Sequence, residues 1–246
     1  MKGVALSVPR FFAAMKLSSE TEIQLPERAA RHCAVLRLRR GDEVAVFNGE
    51  GGEFSAELTR VSRDEVRVRL ISKQDVERES PLAITLAQCL SSSDRMDITL
   101  QKSTELGVSR IVPLASRRSV VKLSSERADK RVAHWRNVLI AACEQCGRNR
   151  VPKVDAIADL ADFLDVPGGE GVRVLLAPDS GRGLKSLEPS NTVTLLVGPE
   201  GGLAPEERRQ AEASGFVPIR FGPRVLRTET APLAAIAAMQ ALWGDC

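Results

Sequence analysis

A glycine-rich stretch near the C-terminus has the residue pattern that most suggests chemistry. Leu195 to Val197 reads as the end of a buried strand, Gly198-Pro199-Glu200-Gly201-Gly202 as a tight turn, and Pro205-Glu206-Glu207 as a helix start. Glycines at the carboxyl end of a strand let a ligand approach the backbone closely, and ligands of open α/β sheets bind there. The alternative is an ordinary strand-to-helix turn.

The same stretch argues against a phosphate ligand. It lacks the Lys-Ser/Thr of a P-loop, and its glycine spacing differs from the Gly-x-Gly-x-x-Gly of dinucleotide-binding folds. Glu206 and Glu207 at the helix start would also repel phosphate groups. The pattern therefore favours a ligand without phosphates.

A second loop, Gly222 to Pro232, carries two arginines where cations are unfavourable, just before a helix of nearly continuous alanine, leucine and isoleucine. Capping explains part of this loop, with Thr230 as the expected N-cap and Glu229 as a complement to the helix dipole. Capping does not explain Arg224 and Arg227, because a helix N-terminus repels cations. These arginines indicate an anionic partner, which could be a carboxylate, a phosphate or an ion-pair partner.

Other reactive residue types are sparse. There are two histidines, His32 and His134, and no tyrosine, so hydrolytic triads have few candidates. Cys143 and Cys146 form a Cys-x-x-Cys within a helical stretch, without a second cysteine pair or neighbouring histidines. We therefore expect half-buried helical cysteines and no metal site.

Composition suggests a globular cytoplasmic protein. The five cysteines, an odd number, favour reduced thiols. We find no membrane span of roughly 18–20 apolar residues and no secretion signal in residues 1–12. Residues 1–73 hold 13 Lys and Arg against 10 Asp and Glu, whereas residues 74–246 hold 22 of each. This small excess fits a polyanion partner of the first segment, although a solvated surface of mixed charge also explains it.

The elements that must position these residues fall into two segments. Residues 1–73 read as β-rich, with a helix from Pro26 to about Leu38 and alternating strands on both sides of the turn Asn48 to Gly52. Several short strands with one helix predict a small barrel-like domain. The charged stretch Ser72 to Pro81 is the expected linker.

Beyond Pro81, apolar strands alternate with helical stretches, which predicts βαβ units and a mostly parallel sheet. The predicted strands are Leu82–Cys89, Arg110–Leu114, Val172–Ala177, Thr192–Val197 and Phe216–Phe221. The predicted helices are Asp94–Leu106, Ser124–Cys146, Ala156–Leu164, Pro205–Ser214 and Pro232–Trp243. We thus predict two domains, a β-barrel in residues 1–73 and an α/β domain in residues 74–246.

Stretches in order along the chain carry a family resemblance. They are Val8-Pro9-Arg10-Phe11-Phe12, Gln101 to Val108 (QKSTELGV), Glu144 to Arg148 (EQCGR), Gly198 to Gly202 (GPEGG) and Leu226 to Ala231 (LRTETA). With them the chain resembles the SPOUT (trefoil-knot) RNA methyltransferases, and more closely the family that methylates N3 of a uridine in 16S ribosomal RNA. His32 to Asp42 (HCAVLRLRRGD) resembles that family's N-terminal domain, whereas Cys89 to Asp94 (CLSSSD) departs from its pattern.

The resemblance implies a PUA-like β-barrel that binds RNA, followed by an α/β domain with a mostly parallel sheet whose C-terminal chain forms a trefoil knot. It also implies S-adenosylmethionine as the cofactor, bound in a bent form by the knot loops, a homodimer, and 16S ribosomal RNA or the small ribosomal subunit as the partner. Adenosine and methionine carry no phosphate, so the acids that follow Gly202 are compatible with this cofactor.

The resemblance also suggests residues for each role. The cofactor-binding candidates are Leu176, Gly198, Pro199, Glu200, Gly201, Gly202, Gly222, Val225, Leu226, Arg227, Thr228 and Ala231. The RNA-binding candidates are Arg10, Arg37, Arg39, Arg40, Lys102 and Arg148. The catalytic candidates are Arg227 and Glu229, because a carboxylate can accept the N3 proton of uracil and a guanidinium can stabilise charge on the flanking carbonyl oxygens. Since N3 lies on the Watson–Crick edge, the uridine must be unpaired or extruded.

Three alternatives remain from the sequence. The chain could be another SPOUT methyltransferase, acting on a ribose 2′-oxygen or on transfer RNA. It could be a ribosome assembly factor that binds RNA without catalysis. A phosphate-binding α/β hydrolase is disfavoured, because no Lys-Ser/Thr follows the glycines.

Overall fold

The computed structural model describes residues 8–119 and 125–246. The chain divides into two compact units, of which the first runs to Glu79 and also contains Cys143–Val151. The second contains Ser80–Ala142 and Pro152–Cys246. The earlier expectations for residues 1–7 and for a helix start at Ser124 lie outside the described residues.

A curled, five-stranded sheet with one helix forms the first unit. Its elements are β1 (Arg10–Phe12), β2 (Glu22–Gln24), α1 (Arg28–Leu36), β3 (Glu43–Phe47), β4 (Glu53–Val61) and β5 (Val66–Gln74), and the strand order is β1-β3-β4-β5-β2. β3, β4 and β5 pair antiparallel, and β1 pairs parallel with β3. Register irregularities after Ser55 and Leu58 in β4 increase the local twist, so the sheet forms a half-barrel.

Alternating side chains of the half-barrel form its core. Leu58, Val68 and Leu70 point inward from β4 and β5 and pack with Ala29 and Cys33 of α1. This period-2 burial is the pattern expected of a sheet with one buried face. The prediction of a β-rich first segment with one early helix is confirmed.

A parallel sheet with flanking helices forms the second unit. Its strands are β6 (Ala83–Cys89), β7 (Val108–Ala115), β8 (Lys153–Val154), β9 (Ala158–Asp159), β10 (Val172–Leu176), β11 (Thr192–Val197) and β12 (Val217–Ile219). Its helices are α2 (Ser93–Glu105), α3 (Ser125–Cys146, whose last turn belongs to the first unit), α4 (Leu160–Asp165), α5 (Pro205–Ala213) and α6 (Thr230–Trp243), with a 3₁₀ turn at Leu184–Ser186. The strand order is β12-β10-β11-β6-β7-β8, with β9 also on β7.

The predicted helix Ala156–Leu164 is wrong in its first half. Residues 158–159 pair instead with Leu114 and Ala115 of β7. The helix begins only after Asp159, whose carboxylate accepts a hydrogen bond from the Ala161 N–H at 2.8 Å. A strand pairing across more than forty residues therefore overrides the local helical pattern in this stretch.

The predicted N-cap of the last helix is also wrong. α6 begins at Thr230 itself, with Glu229 as the N-cap and without a side-chain cap. The carbonyl of Arg227 accepts hydrogen bonds from the Thr230 and Ala231 N–H groups, both at 2.9 Å. A backbone turn thus satisfies two of the four N–H groups that have no partner within the helix.

Two further points concern the chain as a whole. No helix among the described residues has the length and hydropathy needed to cross a bilayer. The C-terminal trefoil knot implied by the resemblance stays a prediction.

Candidate functional site

Three loops enclose a cavity of about 780 Å³ in the second unit. They follow β10, β11 and β12, and since β10 lies between the other two strands in a parallel sheet, the loops meet at the same edge. We call Gly198–Leu203, which follows β11, the glycine loop, and 222–229, which follows β12, the arginine loop. The size is within the range of small-molecule sites.

The cavity brings together most of the cofactor-binding candidates. The lining contains Leu176, Gly198, Pro199, Glu200, Gly201, Gly202, Val225, Leu226, Arg227, Thr228 and Ala231. Gly222, the remaining candidate, does not line it. Leu175, Ile219 and Phe221 add apolar wall.

The glycine loop is held in a conformation that depends on its glycines. Gly202 has a φ of +67°, in the left-handed region that glycine adopts without strain, and its N–H donates to the Pro199 carbonyl at 2.8 Å. A Cβ on Gly198 would lie 3.3 Å from the Leu203 nitrogen, so this strand end is tightly packed. Arg118 donates from Nη1 to the Gly201 carbonyl at 2.9 Å.

The two acids after the glycine loop, Glu206 and Glu207, form local contacts at the first turn of α5. Glu207 is buried and accepts hydrogen bonds from the N–H groups of Ala204 and Arg117, both at 2.8 Å. Glu206 pairs with the Arg117 guanidinium. Its own backbone N–H, together with Arg117, lowers the pKa of Glu206. Both acids therefore stabilise local structure.

Thr228 ties the arginine loop to the glycine loop. Its Oγ1 donates a hydrogen bond to the Gly198 carbonyl at 3.0 Å. Gln88, at the end of β6, approaches the same Oγ1 with Nε2 at 3.5 Å. The Gln88 side chain is buried, and among the described residues its Oε1 has no hydrogen-bond partner. The ends of β6 and β11 and the arginine loop thus converge on one hydroxyl group.

The two catalytic candidates occupy different positions on the arginine loop. Arg227 is exposed and lines the cavity, whereas Glu229 is not part of the lining. Glu229 contacts Arg95, with 3.5 Å between Oε2 and Nε. Arg224 also lines the cavity, and within the described part of the chain neither Arg224 nor Arg227 forms an ion pair. The described residues therefore do not supply the anionic partner that the placement of the two arginines indicates.

Sequence reasoning missed three charged residues of the cavity, namely Arg95, Asp179 and Arg208. Arg95 also pairs with Glu200 at 3.0 Å. Arg208 donates to the Asp179 carboxylate at 2.5 Å and so lowers the pKa of that carboxyl group. Asp179 could have been found, because it follows a predicted strand at the ligand-binding edge of the sheet.

Burial opposes ionisation of Glu200, but other contacts outweigh it. The Ser92 N–H donates to Oε1 at 3.1 Å, and the Arg95 guanidinium binds the same oxygen. Against the opposing effect of burial, these contacts hold the pKa of Glu200 below its usual value. Glu200 is therefore a well-anchored carboxylate at the cavity wall.

Two of the RNA-binding candidates are not surface cations, and for them the expectation needs correction. Arg10 is 4% exposed, pairs with Glu53, and donates to Asn149 Oδ1 at 2.6 Å. Arg148 is also 4% exposed, and its Nε donates to Glu79 at 3.0 Å. Both guanidinium groups are buried within the first unit, where each pairs with a carboxylate that is distant in sequence. Neither guanidinium is therefore accessible to a phosphate.

The other RNA-binding candidates are exposed. Arg37, Arg39 and Arg40 lie between α1 and β3, where Arg37 ends the helix with a φ of +56°. Lys102 on α2 is exposed and pairs with Glu105 at 2.8 Å.

The cysteine pair behaves as buried helical thiols. Cys143 is buried and Cys146 partly so, and burial raises the pKa of Cys143 to about 12. In the described ranges, no group of three or more His, Cys, Asp or Glu is arranged to hold a metal ion.

Comparison with known proteins identifies the family. A family model described as the RNA methyltransferase domain matches residues 78–240, and one described as the RNA methyltransferase PUA domain matches residues 25–71. The ribosomal RNA small subunit methyltransferase E of Buchnera aphidicola (from Schizaphis graminum) is 33% identical over 97% of this chain and 98% of its own length.

Solved structures agree with these matches. A crystal structure of ribosomal RNA small subunit methyltransferase E from Neisseria gonorrhoeae, bound to S-adenosylmethionine, has a TM-score of 0.92 and 44% identity, and covers 97% of this chain and 99% of that one. A methyltransferase of Legionella pneumophila, in complex with the same cofactor, has a TM-score of 0.94 and 38% identity over 98% of this chain and 100% of that one. Because relatives of this identity align along almost the whole length, the resemblance is confirmed, and the chain belongs to the RNA methyltransferase family that contains the ribosomal RNA small subunit methyltransferase E enzymes.

Proposed function

We propose that this RNA methyltransferase uses S-adenosylmethionine to methylate the RNA of the small ribosomal subunit, and that the modified atom is N3 of a uridine. The observation that carries the proposal is the cavity at the ends of β10, β11 and β12, whose lining includes residues from two of the stretches on which the family resemblance rests, Gly198–Gly202 and Leu226–Ala231. In this proposal the protein acts on ribosomal RNA in the bacterial cytoplasm.

The cavity residues suit this cofactor. Apolar walls from Leu176, Ile219 and Phe221 can pack an adenosine, and the glycine loop lets its backbone approach closely. Glu200 and Asp179 are each paired with an arginine of the lining, and Arg224 and Arg227 form no ion pair among the described residues. The lining therefore offers groups of both charges, which suits a cofactor that carries an ammonium and a carboxylate. When bound, S-adenosylmethionine supplies a methyl group on a sulfonium centre.

Arg227 and Glu229 are the proposed catalytic residues. Arg227 lines the cavity without an ion pair among the described residues, so its guanidinium can stabilise charge that develops on the uracil carbonyl oxygens. Glu229 lies beside the cavity and outside its lining, and its buried Oε2 lacks a hydrogen bond in the described part of the chain, so this oxygen keeps a lone pair for the N3 proton of a uridine that reaches it. The hydrogen bonds of catalytic residues commonly reach their final geometry only when the substrate is bound.

The proposed RNA surface of the first unit is the exposed turn Arg37, Arg39 and Arg40. Cations of this kind bind phosphates and position the RNA without reading its sequence. Lys102 is a further proposed contact, for which phosphate would have to compete with Glu105.

A homodimer is also part of the proposal. α6 presents an apolar stripe of partly or fully exposed residues at helical spacing, namely Leu233, Ala234, Ala237, Ala238, Ala241 and Leu242. Small side chains let two copies of such a helix approach closely around a twofold axis. In sedimentation experiments, Ala237→Arg should convert a dimeric wild type to monomer, whereas exposed Ala161→Arg should not. A monomeric wild type would refute this part.

Identification of the product tests the main proposal. Unmodified 16S ribosomal RNA and small subunits are incubated with the protein and methyl-labelled S-adenosylmethionine, and the digested nucleosides are identified by mass spectrometry. We expect N3-methyluridine, and an Arg227→Ala variant that folds normally but transfers at least about a hundredfold more slowly. A 2′-O-methyl product would assign a different target atom. RNA binding without any labelled product would favour a non-catalytic assembly factor.

A further inference from the structure

Arg95 is a cation at a place where a cation is unfavourable. It lies in the first turn of α2, whose N-terminus carries the positive end of the helix dipole. Its side chain is 36% exposed and lines the cavity. Some compensating interaction must therefore keep the guanidinium in this position.

Two carboxylates from different loops provide that compensation. Arg95 Nη1 lies 3.0 Å from Glu200 Oε1 on the glycine loop. Arg95 Nε lies 3.5 Å from Oε2 of Glu229, at the end of the arginine loop. One side chain thus bridges the loop that forms the cofactor cavity and the residue proposed to accept the substrate proton.

The two carboxylates are not held equally. Glu200 has a second donor, the Ser92 N–H at 3.1 Å, and its pKa is lowered despite burial. The Glu229 side chain is 19% exposed, and its Oε2 is buried without a hydrogen bond among the described residues. Glu200 therefore anchors the arginine, and the arginine in turn restrains a carboxylate that has spare accepting capacity.

We propose that Arg95 is a positioning residue, which uses Glu200 as its anchor to fix the Glu229 carboxylate beside the cavity. This inference rests on the proposed function, because it assigns Arg95 a role through Glu229 in the same methyl transfer. Without the guanidinium, Glu229 would lose the ion-pair contact that restrains it and would sample other orientations. The methyl-transfer step should then slow, even when cofactor and RNA are both saturating.

A double-mutant cycle tests this role. The variants are Arg95→Gln, Arg95→Lys, Glu229→Gln and the double variant R95Q/E229Q, with Arg136→Gln as a control that removes an exposed arginine of α3. Calorimetry with S-adenosylmethionine fixes the saturating concentration for each variant, and thermal unfolding checks that each is folded. Single-turnover methyl transfer to 16S ribosomal RNA is then measured under saturation.

We expect Arg95→Gln to reduce the saturated rate by about tenfold or more, and Arg95→Lys to recover part of the loss. The double variant should be no slower than Glu229→Gln alone, because Arg95 acts through Glu229. Arg136→Gln should match the wild type. A merely structural role would not produce this non-additivity at saturation.

Other outcomes overturn the inference. If Arg95→Gln retains the wild-type rate, or if its loss multiplies fully with that of Glu229→Gln, Arg95 does not act through Glu229. In both cases the wild type is active, so the proposed function stands. A wild type that transfers no methyl group to the RNA overturns the proposed function, and the role of Arg95 with it.

Discussion

Replacing Gly202 by alanine tests whether the left-handed turn of the glycine loop is required in the ligand-bound protein. Gly202 has a φ of +67°, and a Cβ added there would meet no atom within 4 Å. The substitution therefore introduces no steric clash, and its cost comes from the backbone conformation alone. Gly201 offers a matched control, because its added Cβ would make only ordinary contacts, at 3.5 and 3.6 Å, with Arg118.

The size of the effect follows from this comparison. An alanine in the left-handed region costs about 1–2 kcal/mol. Both Gly→Ala changes restrict the unfolded chain by a similar amount, so the difference between the two variants cancels that contribution. Gly202→Ala should thus be about 1–2 kcal/mol less stable than Gly201→Ala when both are saturated with S-adenosylmethionine. At about 2–4 °C per kcal/mol for a chain of this size, the unfolding midpoints should differ by roughly 2–8 °C.

Thermal unfolding at saturating S-adenosylmethionine is the assay. The alanine can incur its backbone cost when the protein folds or, if the free loop relaxes, when the cofactor binds. At one saturating concentration of S-adenosylmethionine, the free energy of unfolding includes this cost in either case. Calorimetry of cofactor binding then shows where the cost arises. An unchanged Kd means that the free loop already holds the left-handed turn, and a higher Kd means that the free loop relaxes and incurs the cost on binding. Equal midpoints for the two variants, or a lower midpoint for Gly201→Ala, would refute the argument.

Two further predictions concern charge and thiol chemistry. Replacing Arg37, Arg39 and Arg40 together by alanine should weaken RNA binding and reduce the slope of log Kd against log salt by roughly 2 to 3, since each phosphate contact contributes about 0.7–0.9; an unchanged slope would exclude this turn as an RNA contact. Burial raises the pKa of the Cys89 thiol to about 12. Its thiolate fraction at pH 8 is therefore negligible, and a maleimide should label the exposed Cys246 first; mass spectrometry that finds Cys89 labelled first in the folded protein would contradict the placement of this thiol.

Local patterns sufficed for the part of the site that follows β11. The apolar strand, the glycines and the Pro205 helix start are adjacent in the sequence, and the predicted strand Thr192–Val197 matches the structure residue for residue. The helix Ala156–Leu164 was partly wrong, because its first residues pair with a distant strand. Periodicity within a window cannot report such a pairing.

Long-range ion pairs account for most of what sequence reasoning missed. The resemblance suggested Arg10 as an RNA contact, yet the side chain is buried and its carboxylate partner, Glu53, lies 43 residues away. Arg95 was overlooked because Glu200, which anchors it, is 105 residues further along the chain. In both cases the identity of the residue suggested its chemistry, but only the fold could supply the partner.

The segment Cys143–Val151, which lies far along the chain from the rest of the first unit, affects how this unit folds during synthesis and whether it can be expressed as a fragment. It completes the first unit, where Asn149 and the carbonyl of Arg148 accept hydrogen bonds from the buried Arg10. A ribosome must therefore release more than half of the polypeptide before this unit can close, so its folding cannot finish by the usual N-to-C order of domains. A fragment ending at Glu79 would keep the Arg10–Glu53 ion pair but lose these two acceptors, and each hydrogen bond to a charged group contributes about 1.5–3 kcal/mol. The unit that begins the chain is thus not a separable module.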